Sequence, residues 1–283
     1  MKLGITFEGG ANRGIFSSGV ADAFLEEDLM PDYFIGVSAG IAFGVSYLSK
    51  QKGRNWEIVE KYIQDQRYMG IRHLLNRSKR TYYNVDFVFS EIPDQLVPFD
   101  YESFARYPGE VVACMTNIHS GKAEYLPIPR TPEMNNYLAA SCSLPVLFQP
   151  VQIKNHYYLD GALADAVPFA QAIKAGCDKN IVVLTRPREY VKKSDHGTGI
   201  TKALYWKYPK IVETLKTRVQ RYRLCMQKIR DMEQAGELYV IAPNDTLGIR
   251  RTETDIEKLR GLYQQGYDIA KENIEKIKEY IKS

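Results

Sequence analysis

The first forty residues confine the chain to a narrow set of folds. "LGITFE" (3–8) is a short apolar run that ends in Gly9-Gly10. "GIFSSGVADAFLEED" then carries Ile15, Val20, Phe24 and Leu25 at helical spacing, and Pro31-Asp32 breaks the pattern. "YFIGV" (33–37) is a second apolar run, followed by the small and apolar "AGIAFGVSYLSK". Strand, helix, strand, helix in that order implies parallel strands buried under helices. The expectation is an α/β protein: a three-layer α/β/α fold around a mainly parallel sheet, with a largely helical C-terminal part.

Further elements follow the same reading. "GEVVACMTNI" (109–118) predicts a strand, and "GKAEYLPI" a neighbouring one after a Ser120-Gly121 turn. "TPEMNNYLAASCSLP" predicts a helix stopped near Pro145, and "VQIKNHYYLDGA" a hairpin around Lys154-Asn155. "PFAQAIKAGC" reads as a helix, "KNIVVLTRP" as a buried strand and 200–235 as helical and basic. "GELYVIAP" (236–243) is one more strand, and 253–282 one long amphipathic helix. Residues 50 to 107 suggest helices with irregular links, a candidate lid.

At 283 residues, 45% of them hydrophobic and 25% charged, the chain suits one large domain or a domain with an appendage. The expected division is an α/β domain over 1–190 and a mostly helical extension over 191–283 packed on it. No stretch approaches the ~18 apolar residues of a membrane span, and "MKLGITFEGG" is too short for a signal peptide. Cys114, Cys142, Cys177 and Cys225 form no C-x-x-C pair, which suggests reduced thiols and a cytoplasmic location, with a membrane-peripheral one as the alternative. His73, His119, His156 and His196 have no metal-ligand spacing, so neither metal nor cofactor is expected.

Three segments carry candidate chemistry. Gly36-Val37-Ser38-Ala39-Gly40 is a G-x-S-x-G straight after an apolar run. Flanking glycines suit a sharp strand-to-helix turn that exposes the serine Oγ. Chance alone puts such a pentapeptide in roughly one chain in ten of this length. Ser38 reads as a nucleophile or as a helix N-cap. The loop "EGGANRG" (8–14) allows an oxyanion hole, a phosphate cradle built on Gly9-x-Ala11-x-x-Gly14, or a tight turn. A dinucleotide site wants an acidic residue near the end of strand 2, and that strand ends in Ser38 instead. In "YYLDGALADAVP" (157–168), Asp160 is either a base at a strand end or a turn aspartate. The order Ser38, Asp160, His196 also matches a hydrolase triad, but His196 sits in the polar "KKSDHGTG", where a solvated histidine is the better reading.

Together these segments resemble the patatin-like phospholipases over residues 3 to 190. "AASCSLPVLFQPV" (139–151) looks like the family's segment leading into its aspartate, and the tail "YVIAPNDTLGIRRTETDIEKLRGLYQQGYDIAKE" is similar to a bacterial subgroup. The resemblance implies a Ser-Asp dyad without histidine, with Ser38 as nucleophile and Asp160 as its base. It places the oxyanion hole at the N–H groups of Gly9, Gly10 and Ala11, supported by Arg13. Gly14, Gly36, Gly40, Gly161 and Ala162 would be the motif residues. Glu8 stands where many members have Asp, and Ala11 and Ala162 stand at frequent glycines. The implied function is hydrolysis of lipid acyl esters. The rivals are a short-chain carboxylesterase and a nucleotide-binding module that keeps the fold without chemistry.

Between Arg186 and Arg230 the chain has thirteen Lys and Arg against three Asp and Glu, a local net of +10. With Tyr205, Trp206, Tyr208 and Tyr222 interleaved, this stretch reads as a solvated face or as a peripheral contact with anionic membrane; no nucleic acid is expected. The membrane reading predicts binding to anionic vesicles that weakens as salt rises. Equal binding to neutral vesicles at low and high salt would overturn it.

Overall fold

β1 (Leu3–Phe7) and β2 (Tyr33–Val37) are buried along their whole length, as parallel strands covered on both faces must be. A computed structural model of the chain describes residues 1–75, 81–145, 147–194, 199 and 203–283. Among them, β3 (Glu110–Asn117), β4 (Ala123–Pro127), β5 (Val151–Ile153), β6 (His156–Asp160), β7 (Lys179–Val183) and β8 (Tyr239–Ile241) complete an eight-stranded sheet. Its order is β5-β6-β3-β2-β1-β7-β8, with β4 paired to β3 off that path. The β1–β2, β1–β7, β2–β3 and β7–β8 pairings are parallel, and those of β3–β4, β3–β6 and β5–β6 antiparallel.

Helices cover both faces: α1 (Ile15–Glu26), α2 (Ala39–Leu48), α3 (Arg54–Tyr62), α4 (Tyr101–Arg106), α5 (Met134–Cys142), α6 (Phe169–Lys174), α7 (Pro209–Gln234), α8 (Ile256–Glu272) and α9 (Ile274–Lys282). Alternation along the strands assigns the faces. Ile5, Phe7 and Phe34 pack with Phe16 and Phe24 of α1 and Ile41 of α2. Tyr33 and Ile35 point the other way, to Ala172 of α6. Val182 and Val240 join that second face under Tyr222, Met226 and Ile229 of α7. The three-layer α/β/α arrangement follows. Among the described residues no helix is long and apolar enough to cross a membrane.

The residues after 190 share this core. β8 extends the sheet beside β7, and α8 runs along α1 with backbones in contact. A Cβ on Gly266 would run into the Phe16 carbonyl, and one on Gly19 into the Tyr263 carbonyl. The single long helix expected over 253–282 is two helices. Asn273 leaves helical geometry at φ −102°, ψ 4°, and its Nδ2 donates to the Ile269 carbonyl at 2.8 Å. Between 50 and 107 lie α3, α4 and a π-helix, Phe87–Leu96, whose Pro93 has no N–H to give.

The sheet's decisive feature is what happens along one edge of β3. β2 pairs with residues 110–114, so that Val37 lies opposite Cys114. β6 arrives antiparallel and pairs with 115–117, so that Asp160 lies opposite Met115. β4 occupies the other edge over 112–116, which leaves β2 and β6 on the same edge, end to end. Gly161 sits at the junction, where a Cβ would collide with the Cys114 carbonyl and approach Val37 Cγ2 to 2.7 Å. Backbone cannot yield there without breaking the β3 ladder. Gly161→Ala is therefore expected to cost about 2–3 kcal/mol, read as a lower urea midpoint at unchanged m-value. An unchanged midpoint would mean that the junction relaxes freely.

Candidate active site

Because the two strand ends meet, Ser38 and Asp160 meet. The Ser38 Oγ–H donates to Asp160 Oδ2 at 2.7 Å, and Asp160 Oδ1 accepts the Ala162 N–H at 2.8 Å. Ser38 holds the N-cap position of α2, but its side chain makes no capping bond; it stands at φ 54°, ψ −129°, a strained conformation for a non-glycine residue. Its N–H donates to Ser141 Oγ at 2.9 Å, and that hydroxyl donates to the Cys114 carbonyl at 2.7 Å. Asp160 is fixed likewise: its N–H donates to the Ser143 carbonyl at 2.9 Å, and Thr116 Oγ1 donates to its carbonyl at 2.8 Å. Burial pushes the Asp160 carboxyl above its ordinary range. The hydrogen bonds from Ser38 and Ala162, and then the charges of Arg218 and Arg251, pull it partly back.

The glycine loop closes over this pair from β1. A Cβ on Gly9 would lie 2.9 Å from the Val37 carbonyl and 3.0 Å from Ser38 Cβ. Gly36 and Gly40 form the turn's own tight packing, Gly36 against Ile41 and Gly40 against the carbonyls of Phe7 and Glu8, and Gly14 abuts Ala39. Among the described residues, the N–H groups of Gly9, Gly10 and Ala11 donate to no carbonyl. Ala11 adopts φ 48°, a left-handed conformation that explains why glycine suits this position. Glu8 ties the loop to β7 and α7: it accepts Thr185 N–H at 2.6 Å, Thr185 Oγ1 at 3.0 Å and the Tyr222 hydroxyl at 2.9 Å. Burial raises its pKa.

A family model described as patatin-like phospholipase matches residues 5–173. The chain belongs to the patatin-like phospholipase family. At family level that is a class of lipid hydrolases. A second model, described as a domain of unknown function (DUF6363), matches residues 208–282. The uncharacterized protein YjjU of Escherichia coli K12 is 25% identical over 198 residues, 66% of this chain. The match spans 53% of that relative, about half its length. A probable lipid hydrolase, 463L of Invertebrate iridescent virus 6, is 24% identical over 95% of this chain and 89% of its own. Among solved structures, VipD from Legionella pneumophila aligns over 97% of this chain and 67% of its own at 12% identity, with a TM-score of 0.47.

Within this patatin-like frame, Ser38 lines a cavity of about 1020 Å³, open solvent included. Its walls are apolar, with Phe43, Ile58, Phe89, Leu138, Leu147 and Phe148 among them. Residues 50–107, a candidate lid by sequence, supply much of that wall. Arg13, expected beside the loop's donors, does not line the cavity. It is buried, its pKa lowered to about 10 by burial first and by Arg186 next, and its Nε has no partner. His196 lies outside the described residues, and among those described no histidine bonds to Ser38 or Asp160.

The basic stretch is used differently from a simple surface patch. Arg218 Nε donates to the Ala162 carbonyl at 2.8 Å. Arg221 donates to the Ala164 and Leu163 carbonyls at 3.2 and 2.6 Å. α7 thus holds the turn that follows Asp160. Tyr205 and Tyr222 are buried, and Trp206 is 69% exposed. Sequence reasoning also missed Ser141 and Arg251. Ser141 lay in the quoted "AASCSLP" segment; Arg251 had no local signal.

The raised Asp160 pKa has a consequence for stability. Between the ordinary carboxyl value of 3.8 and the raised one, the folded chain holds a proton that the unfolded chain has released. Stability therefore falls as pH rises through that window and stays lower above it. Asp160→Asn removes the buried charge, keeps an acceptor for Ala162 N–H and can donate to Ser38 Oγ. The variant is expected to melt ~2–4 °C higher at pH 7. The advantage should shrink as pH falls toward the ordinary carboxyl value. A lower melting temperature at pH 7 would contradict the assignment of a strained buried charge.

Proposed function

We propose that the protein is a serine acyl hydrolase of lipid esters in which Ser38 is the nucleophile and Asp160 its general base. The observation that carries this reading is the direct 2.7 Å hydrogen bond from Ser38 Oγ to a buried carboxylate on the wall of an apolar cavity. A serine hydroxyl is a weak nucleophile until a positioned base takes its proton. Asp160 stands in contact, and burial makes it a stronger base than an exposed carboxylate. Ser38 Oγ attacks the ester carbonyl carbon and its proton passes to Asp160 Oδ2. The oxygen that gains charge meets the N–H groups of Gly9, Gly10 and Ala11, which among the described residues donate to no carbonyl. Collapse breaks the ester C–O bond, and the leaving alcohol takes the proton from Asp160. Water repeats the sequence on the acyl-enzyme and releases the carboxylic acid. The apolar wall favours a long acyl chain over a short soluble ester.

A fluorophosphonate probe phosphonylates activated serines and tests this reading directly. Labelling is expected for the wild type, with none for Ser38→Ala and at least a hundredfold slower labelling for Asp160→Asn, by the usual weight of a general base. Equal labelling of all three proteins would place the reactive serine elsewhere. With p-nitrophenyl esters, kcat/KM should rise with acyl length. A fall beyond short chains would favour a general carboxylesterase.

A further inference from the structure

Arg251 belongs to the stretch matched by the domain of unknown function, in the link between β8 and α8. It lines the cavity together with Ser38, Ala11 and Asn12, and its side chain is exposed at the solvent side. The link is fastened there. The Arg251 carbonyl accepts the Tyr83 hydroxyl at 3.2 Å, and Asn12 Nδ2 donates to the Glu253 carbonyl at 2.6 Å. Residues 251–253 are thereby tied to both the glycine loop and the cavity wall.

Positive charge is in excess at this place. Arg13, 6% exposed, has an Nε with no partner. After burial itself, Arg186 and then Arg251 push its pKa down, so both guanidinium groups lie within electrostatic reach of Arg13. Glu8, the carboxylate that offsets Arg13, is already engaged by Thr185 and Tyr222, and Asp160, which feels Arg251, is held by Ser38 and Ala162. Among the described residues the Arg251 guanidinium makes no ion pair at contact distance, although its charge reaches Asp160. An anion entering this end of the cavity meets a guanidinium fork free to bind it by two parallel hydrogen bonds.

An ester bound at Ser38 has two ends. Its acyl chain belongs in the apolar interior, which leaves the alcohol portion toward solvent and Arg251. We propose that Arg251 forms a subsite for an anionic group, phosphate or carboxylate, carried on the alcohol side of the bound ester. The placement on an ester rests on the hydrolase reading above; the binding of an amphiphilic anion does not. It gives the C-terminal stretch a part in substrate choice.

Calorimetry on Ser38→Ala protein tests binding without turnover, with dodecyl phosphate, dodecanol and inorganic phosphate as probes. Adding Arg251→Met is expected to cut the preference for dodecyl phosphate over dodecanol about tenfold, the low end for one charge-assisted pair near solvent. An unchanged preference overturns the subsite. Inorganic phosphate binding as tightly as dodecyl phosphate overturns its placement on a lipid-like ligand. In turnover, the ratio of kcat/KM for a lysophosphatidic acid to that for the monoacylglycerol of the same chain should fall about tenfold in Arg251→Met, with partial return in Arg251→Lys. An equal fall on both substrates would make Arg251 a structural or electrostatic support for Asp160. If the wild type turns over neither ester, the hydrolase reading fails while calorimetry still decides the subsite.

Discussion

β2 and β6 end against each other on one edge of β3, and the rest of the site depends on that meeting. A strand edge offers a fixed row of hydrogen-bonding groups, so each strand's register is set independently by β3. With Val37 opposite Cys114 and Asp160 opposite Met115, the next residue of β2 has nowhere to go but up and out. That forces Ser38 into its positive φ and places its Oγ against the carboxylate. Ser141 and Thr116 then bind the backbone at both strand ends, Ser141 through the Ser38 N–H and the Cys114 carbonyl, Thr116 through the Asp160 carbonyl. A strained serine and a buried carboxylate each cost on the order of a few kcal/mol. A ladder of backbone bonds on a strand buried from Val111 to Asn117 can hold both.

The C-terminal stretch is part of the same construction. A turn buried after a strand end leaves carbonyls that need donors. Residues 162–164 obtain theirs from Arg218 and Arg221 of α7. Glu8, at the end of β1, obtains one of its donors from Tyr222 of the same helix. The backbone contact of Gly19 with α8 and of Gly266 with α1 fixes the helix that follows the Arg251 link. Without α7 and α8, the glycine loop and the Asp160 turn would lose partners that nothing else among the described residues replaces.

The sequence made one half of this arrangement readable. The β-α-β-α opening, the Ser38 elbow, the glycine loop and the Asp-Gly step each follow from local rules, and their common order carried the family resemblance. The fold and the meeting of Ser38 with Asp160 were legible on that basis. Arg218 and Arg221 were not, because an arginine that donates to distant carbonyls looks like any other charge on a helix. Counted by composition, they read as a surface patch. Arg251 is hidden for a related reason: a link between two elements has no periodicity, and the packing of α8 on α1 together with the Tyr83 and Asn12 bonds brings it to the cavity. The break at Asn273 was missed because amphipathic spacing continues across it.

In the proposed Ser38–Asp160 dyad, a carboxylate in place of histidine makes the basicity of the site a matter of burial. An exposed aspartate is too weak a base to activate a serine near neutral pH; desolvation strengthens it, and every favourable contact weakens it again. Ser38 and the Ala162 N–H pull Asp160 down, as do the charges of Arg218 and Arg251. The last two come from the C-terminal stretch, while the burial comes from β3, β6 and α5. The same arginine that holds the Ala162 carbonyl therefore also moderates the carboxylate beside it. Geometry and basicity cannot be tuned separately here: loosening α7 to raise the basicity of Asp160 would release the turn that aims it at Ser38.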